Sequence, residues 1–146
     1  AFLPDMLAQG RGAILNVASM AAFQPMPYMT AYGATKAFVL SFSEGLWGEY
    51  RNRGIRVLAI CPGPVDTGFF EAIGKPETRA GVPRRMMLKA QRVVEESLDA
   101  LAKNKMIIVP GGMGQGIVAG LPRLAPRKWV AAGLAGVLGR STKGSS

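Results

Sequence analysis

The chain has 146 residues, 49% of them hydrophobic and 18% charged, a balance that points to one folded domain with a real core and excludes a disordered chain. It has no histidine and one cysteine, Cys61. This removes Ser-His, Cys-His and histidine-metal chemistry, an internal disulfide and a cysteine zinc cage, and it suits a reducing, cytoplasmic home. The net charge of +9 falls unevenly, because residues 1–78 balance while residues 79–146 hold twelve basic and three acidic side chains. Those cations are scattered among apolar residues rather than packed into a basic helix or interleaved with aromatics, so nucleic acid is not an expected partner.

Ala1 to Leu7 carries no basic segment leading into an apolar stretch, so it is not read as a signal peptide. It reads as the tail of a helix, broken by Gly10-Arg11-Gly12. Ala13-Ile14-Leu15-Asn16-Val17 is a short apolar run after glycines and predicts a buried strand. Pro25 and Pro27 mark a loop, and Thr30 is a good N-cap for a helix reaching about Arg53, with Gly54 as its stop. Ile55 to Ile60 predicts the second strand, cut off by Cys61-Pro62-Gly63-Pro64. Residues 68–83 show no period and predict a loop. Ala90, Val94, Leu98 and Leu101 recur at helical spacing, and Met106 to Val109 predicts a third strand ended by Pro110-Gly111-Gly112. No run reaches the ~18 apolar residues of a membrane-spanning helix.

Strand, helix, strand, helix, strand with apolar strands predicts an α/β fold: a Rossmann-like parallel sheet, here three strands with flanking helices of a doubly wound architecture. Ligands in such sheets sit at the carboxyl ends of the strands, where Ser19 and the Pro62–Thr67 stretch fall. Tyr32 and Lys36 are four residues apart on a helix, about 40° apart around its axis, on one face. A lysine ammonium beside a phenol favours the phenolate, and in a chain without histidine this pair is the best general acid–base group.

Asn16-Val17-Ala18-Ser19, Tyr32-Gly33-Ala34-Thr35-Lys36 and Pro62-Gly63-Pro64-Val65-Asp66-Thr67, with thirteen residues from Ser19 to Tyr32, together resemble the short-chain dehydrogenase/reductase family. The resemblance is close from Met6 to Phe70 and looser from Arg84 to Gly112. It implies an NAD(P)-dependent oxidoreductase interconverting a carbonyl and an alcohol by hydride transfer, with NADP favoured over NAD, a small-molecule substrate and a homo-oligomeric full-length protein. It implies Tyr32 as proton donor or acceptor and Lys36 as the group that tunes it and binds the nicotinamide ribose. Ser19 would hold the substrate oxygen alongside Tyr32. Pro62, Gly63, Val65 and Thr67 would hold the nicotinamide end; no metal is implied.

The family's glycine-rich first turn and its Asn-Asn-Ala-Gly motif are missing. Gly111 to Gly116 does not replace the turn, because counting from Gly112 reaches Gly114 and then Ile117 rather than glycine. The expected organisation is therefore residues 1–112 as the carboxyl-terminal half of a dinucleotide-binding domain, 113–140 as a basic and apolar extension, and 141–146 as a disordered tail. Such a truncated half is expected to be inactive alone. The alternative function is a non-catalytic interaction module that keeps the fold without a cofactor. Met86-Met87 suits either a greasy substrate channel or ordinary core. Residues 117–140 mix apolar residues with Arg123, Arg127, Lys128 and Arg140, which suits either peripheral contact with an anionic membrane or packing on its own domain or on a sister subunit.

Overall fold

Ile55–Ile60 forms the central strand of a three-stranded parallel sheet, and every one of its residues except Arg56 is buried. A parallel strand covered on both faces has to be apolar on both, which is why this segment runs without alternation. The computed structural model describes residues 2–68, 87–112, 120 and 125–142. In chain order they give α1 (Leu3–Ala8), β1 (Gly12–Val17), a 3-10 turn (Met20–Phe23), α2 (Thr30–Tyr50), β2 (Ile55–Ile60), β3 (Val65–Asp66), β4 (Leu88–Lys89), α3 (Ala90–Ala102), β5 (Ile107–Ile108) and α4 (Arg127–Thr142).

The sheet order is β1-β2-β5. β1 pairs with β2 from Gly12 opposite Ile55 to Val17 opposite Ile60, and β2 pairs with β5 at Ala59–Ile107 and Ile60–Ile108. Two cores follow from the alternation along β2. Ala59 and Cys61 pack with Ala18 and Leu40, flanked by Phe23 and Val39, on the face covered by α2. Leu58 and Ile60 pack with Ala100, flanked by Val93 and Leu101, on the face covered by α3. The α/β parallel architecture expected from the sequence is the one observed.

Local details differ from expectation. α2 starts with Met29 at the cap position, and Thr30 lies inside the helix, its Oγ1 donating back to the Met26 carbonyl at 3.4 Å. The turn closed by Met29 N–H on Met26 O, at 3.1 Å, already sets the entry angle there. On α3 the buried positions are Ser97 and Ala100, with Val93 and Leu101 against the sheet, while Val94 and Leu98 are 56% and 54% exposed. Ser97 can be buried because its Oγ donates to Val93 O at 2.6 Å, and its small size admits close approach to the strand. The third strand is shorter than expected. The two-residue strands β3 and β4, which pair in parallel, carry no sequence signal of their own. Most of the 68–83 loop and Met86 lie outside the described residues, whereas Met87 is buried. Of the expected extension, 113–119 and 121–124 lie outside the described residues, and α4 includes Ser141 and Thr142 of the expected tail. Among the described residues no helix is long and apolar enough to cross a membrane.

Candidate functional site

The carboxyl ends of β1 and β2 stay paired beyond the strands themselves. Ala18 N–H donates to Ile60 O at 2.8 Å, and Met20 N–H donates to Pro62 O at 3.0 Å. These two bonds carry Ser19 alongside the Pro62–Gly63 turn. Ser19 is extended (φ −168°, ψ 159°) and caps the 3-10 turn, its Oγ accepting the Ala21 N–H at 3.1 Å. A hydroxyl that accepts in this way still has its hydrogen to donate.

Helix α2 brings its first turns to the same end of the sheet. Tyr32 and Lys36 are both half-buried. Lys36 Nζ donates to Val17 O, the last carbonyl of β1, at 2.9 Å, and stands 5.9 Å from the centroid of the Tyr32 ring. Deeper along α2, the Asn16 side-chain amide donates to Ser43 Oγ at 2.9 Å, and Ser43, fully buried, donates onward to Val39 O at 2.6 Å. The helix is therefore tied to β1 at two levels, which fixes where Tyr32 stands over the strand end. An asparagine in an otherwise apolar strand was the sequence signal for the deeper tie.

The third segment, Pro62 to Thr67, leaves β2 and is clamped by β4. Leu88 N–H donates to Pro64 O at 3.0 Å, and Val65 and Asp66 pair with Leu88 and Lys89. Pro62, Gly63 and Val65 are half-buried and Thr67 is exposed. The structure thus places Ser19, Tyr32, Lys36 and the Pro62–Thr67 segment at one end of one sheet. Cys61, immediately before this segment, is fully buried as part of the core under α2. Tyr28, one turn before Tyr32, is 59% exposed and holds a left-handed φ of 65°.

Gly111 and Gly112, with φ of 105° and 91°, make the turn after β5. The Gly111 N–H donates to Glu96 Oε2 at 2.8 Å, while Arg92 Nε donates to Glu96 Oε1 at 2.7 Å. The Gly111 amide first, and Arg92 second, hold the Glu96 carboxyl below the usual carboxylate range. The Gly111 amide is thus already engaged by a carboxylate. Among the described residues no cluster of potential metal ligands is present.

The sequence profile of the short chain dehydrogenase family matches residues 1–78. The chain is 43% identical over 89 residues to a very-long-chain 3-oxoacyl-CoA reductase of Danio rerio, a match covering 61% of this chain and 28% of the relative. It is 35% identical over 102 residues to the 2-(R)-hydroxypropyl-CoM dehydrogenase of Xanthobacter autotrophicus, covering 69% of this chain and 41% of the relative. The chain therefore spans less than half the length of these relatives. Among solved structures it resembles a short chain dehydrogenase from Burkholderia cenocepacia in complex with NADP, with TM-score 0.68, 31% identity, and 92% of this chain and 53% of that chain covered. It also resembles a Sphingobium yanoikuyae short-chain dehydrogenase in complex with NADPH, with TM-score 0.67, 28% identity, and 84% and 49% covered. A profile matched over more than half of the chain, on the same parallel sheet and with the same motifs at its strand ends, establishes that the chain belongs to the short-chain dehydrogenase/reductase family.

Proposed function

We propose that this chain carries the proton-handling and nicotinamide-facing part of an NADP-dependent oxidoreductase that interconverts a carbonyl and an alcohol. The observation that carries this reading is the Lys36–Val17 bond, which anchors a lysine beside Tyr32 at the strand end where Ser19 also lies. The solved neighbours hold NADP or NADPH, and the two relatives are named for work on an oxo and a hydroxyl carbon.

The residues present fit the nicotinamide end of such a cofactor. Lys36 uses one of its three N–H donors on Val17 O, and the others suit ribose hydroxyls. The Pro62–Gly63 turn, the Val65 backbone and the Thr67 side chain would hold the carboxamide. When bound, the nicotinamide supplies or accepts the hydride. Tyr32 Oη gives a proton to the substrate oxygen in reduction and takes it back in oxidation, while the Lys36 ammonium balances the negative charge left on the phenol oxygen. Ser19 donates to the same substrate oxygen, steadying its charge as it develops.

In the full-length protein, Tyr32→Phe should cut turnover of any accepted carbonyl by about 10²–10⁴-fold while NADPH binding persists by calorimetry. Lys36→Met should reduce both. A Tyr32→Phe enzyme with near-parental activity would remove the acid–base assignment. A full-length parent that never binds NADPH would favour the non-catalytic interaction module instead.

A further inference from the structure

Helix α4 is apolar or glycine at every position from Trp129 to Gly139. One stripe, Val130, Ala131, Leu134, Ala135, Leu138 and Gly139, is half-buried. Gly139 shows where this stripe faces: a Cβ there would stand 2.7 Å from Tyr28 Oη and 3.3 Å from its Cζ. The helix therefore lies with this side against the loop that precedes α2. The opposite side is apolar and, among the described residues, uncovered, with Trp129 67% and Val137 68% exposed and the small residues Ala132, Gly133 and Gly136 exposed between them. An apolar helix surface with no partner is a docking surface, and the charge around it selects the partner.

Arg127 and Lys128 open the helix, both exposed, and Lys128 Nζ lies 5.6 Å from the centroid of the Trp129 ring. No acidic residue follows Asp99, whereas seven Lys and Arg do. A second copy would bring the same positive surface against this one, so charge opposes self-docking here. An anionic lipid surface offers both complements at once: phosphates for the cations, and a headgroup–acyl boundary for a tryptophan flanked by small apolar residues.

We propose that the outward face of α4 docks on anionic membrane surfaces, with Trp129 and Val137 entering the headgroup boundary and Arg127 and Lys128 meeting lipid phosphates. The helix would lie on the bilayer, since it is neither long nor apolar enough to cross it. This is independent of the oxidoreductase reading, because none of these residues belongs to the Tyr32 site.

The test is co-sedimentation of the full-length protein with phosphatidylcholine vesicles, with and without phosphatidylserine. Binding should require the anionic lipid and weaken with added salt. Tryptophan emission should be quenched by brominated lipid, and Trp129→Ser should abolish that quenching although Trp47 remains. Trp129→Ser/Val137→Ser should lower vesicle affinity by about tenfold or more, and Arg127→Glu/Lys128→Glu, chosen as a variant that keeps the apolar face, should remove the preference for anionic lipid. Thermal melts of both variants should match the parent because all four side chains are exposed. Equal binding to neutral vesicles, no binding, or binding indifferent to both variants overturns the proposal. So does an oligomer, without vesicle binding, that Trp129→Ser/Val137→Ser converts to monomer.

Discussion

Gly54 holds φ at +79°, and a Cβ on it would collide with the carbonyl oxygen of Gly10. It sits where the turn from α2 enters β2, and its own carbonyl accepts the Gly12 N–H at 3.3 Å, so this glycine joins the starts of both strands. Gly54→Ala should lower stability by at least about 1–2 kcal/mol from the left-handed backbone alone, with the collision in addition. Gly45→Ala is the matched control: it lies inside α2 with open space around it and should be neutral or stabilising by up to about 1 kcal/mol. Denaturant melts of the two variants check this, and equal effects would refute the close-approach argument. The stop signal at Gly54 was legible in the sequence, since a glycine after a long helix commonly takes this conformation. Its contact with Gly10 was not, because it depends on strands meeting across more than forty residues of chain. The same division holds at the site. The four-residue interval placed Tyr32 and Lys36 on one helix face, but the acceptor for Lys36, Val17 O, exists only once α2 is laid over β1.

Helix α3 is held near its middle by Glu96, which bridges Arg92 on its own helix and the Gly111 amide of the turn after β5. Its carboxyl is held below its ordinary value, by the Gly111 bond first and by Arg92 second. A carboxylate whose folded value is depressed stabilises the protein above its unfolded value, and that contribution disappears as pH falls through the folded one. Glu96→Gln should therefore destabilise by on the order of 1 kcal/mol at neutral pH, since the carboxylate is 28% exposed and partly screened. The gap between the two proteins should begin to close as pH falls through the ordinary carboxylate range and vanish below the depressed folded value. A gap constant from neutral pH to acid would show that the charge does not contribute. At this scale the three sheet strands and two connecting helices were legible because each apolar run is bounded by glycine or proline. The inward face of α3 was not. Val93 and Val94 are equally apolar, and what decides between them is the small pair Ser97 and Ala100, which seats the helix close to Leu58 and Ile60.

Among the described residues the sheet has an edge at each flank, the six-residue β1 and the two-residue β5. β2 is covered on both faces, but β1 has β2 on one side and, among the described residues, no strand on the other. Its residues Leu15 and Val17 lie opposite Leu58 and Ile60 on the face that α3 covers, yet they are 38% and 57% exposed, because α3 packs over β2 and β5 rather than over β1. From Gly12 to Val17 the strand has no charge and no proline, the usual protections of an edge. Burying a valine or leucine side chain fully is worth about 1.5–3 kcal/mol, and the free backbone groups of the edge add directional pairing. The 146-residue chain by itself should therefore associate: sedimentation velocity should show concentration-dependent species above the 15.5 kDa monomer. Val17→Lys places a charge on the open face without disturbing either core cluster and should shift the distribution towards monomer, with an unchanged thermal midpoint at low concentration. Trp129→Ser/Val137→Ser should leave this association intact, since α4 belongs to a different surface. A chain that stays monomeric at all concentrations, or one whose oligomers persist unchanged in Val17→Lys, would mean that the uncovered flank of β1 does not drive assembly.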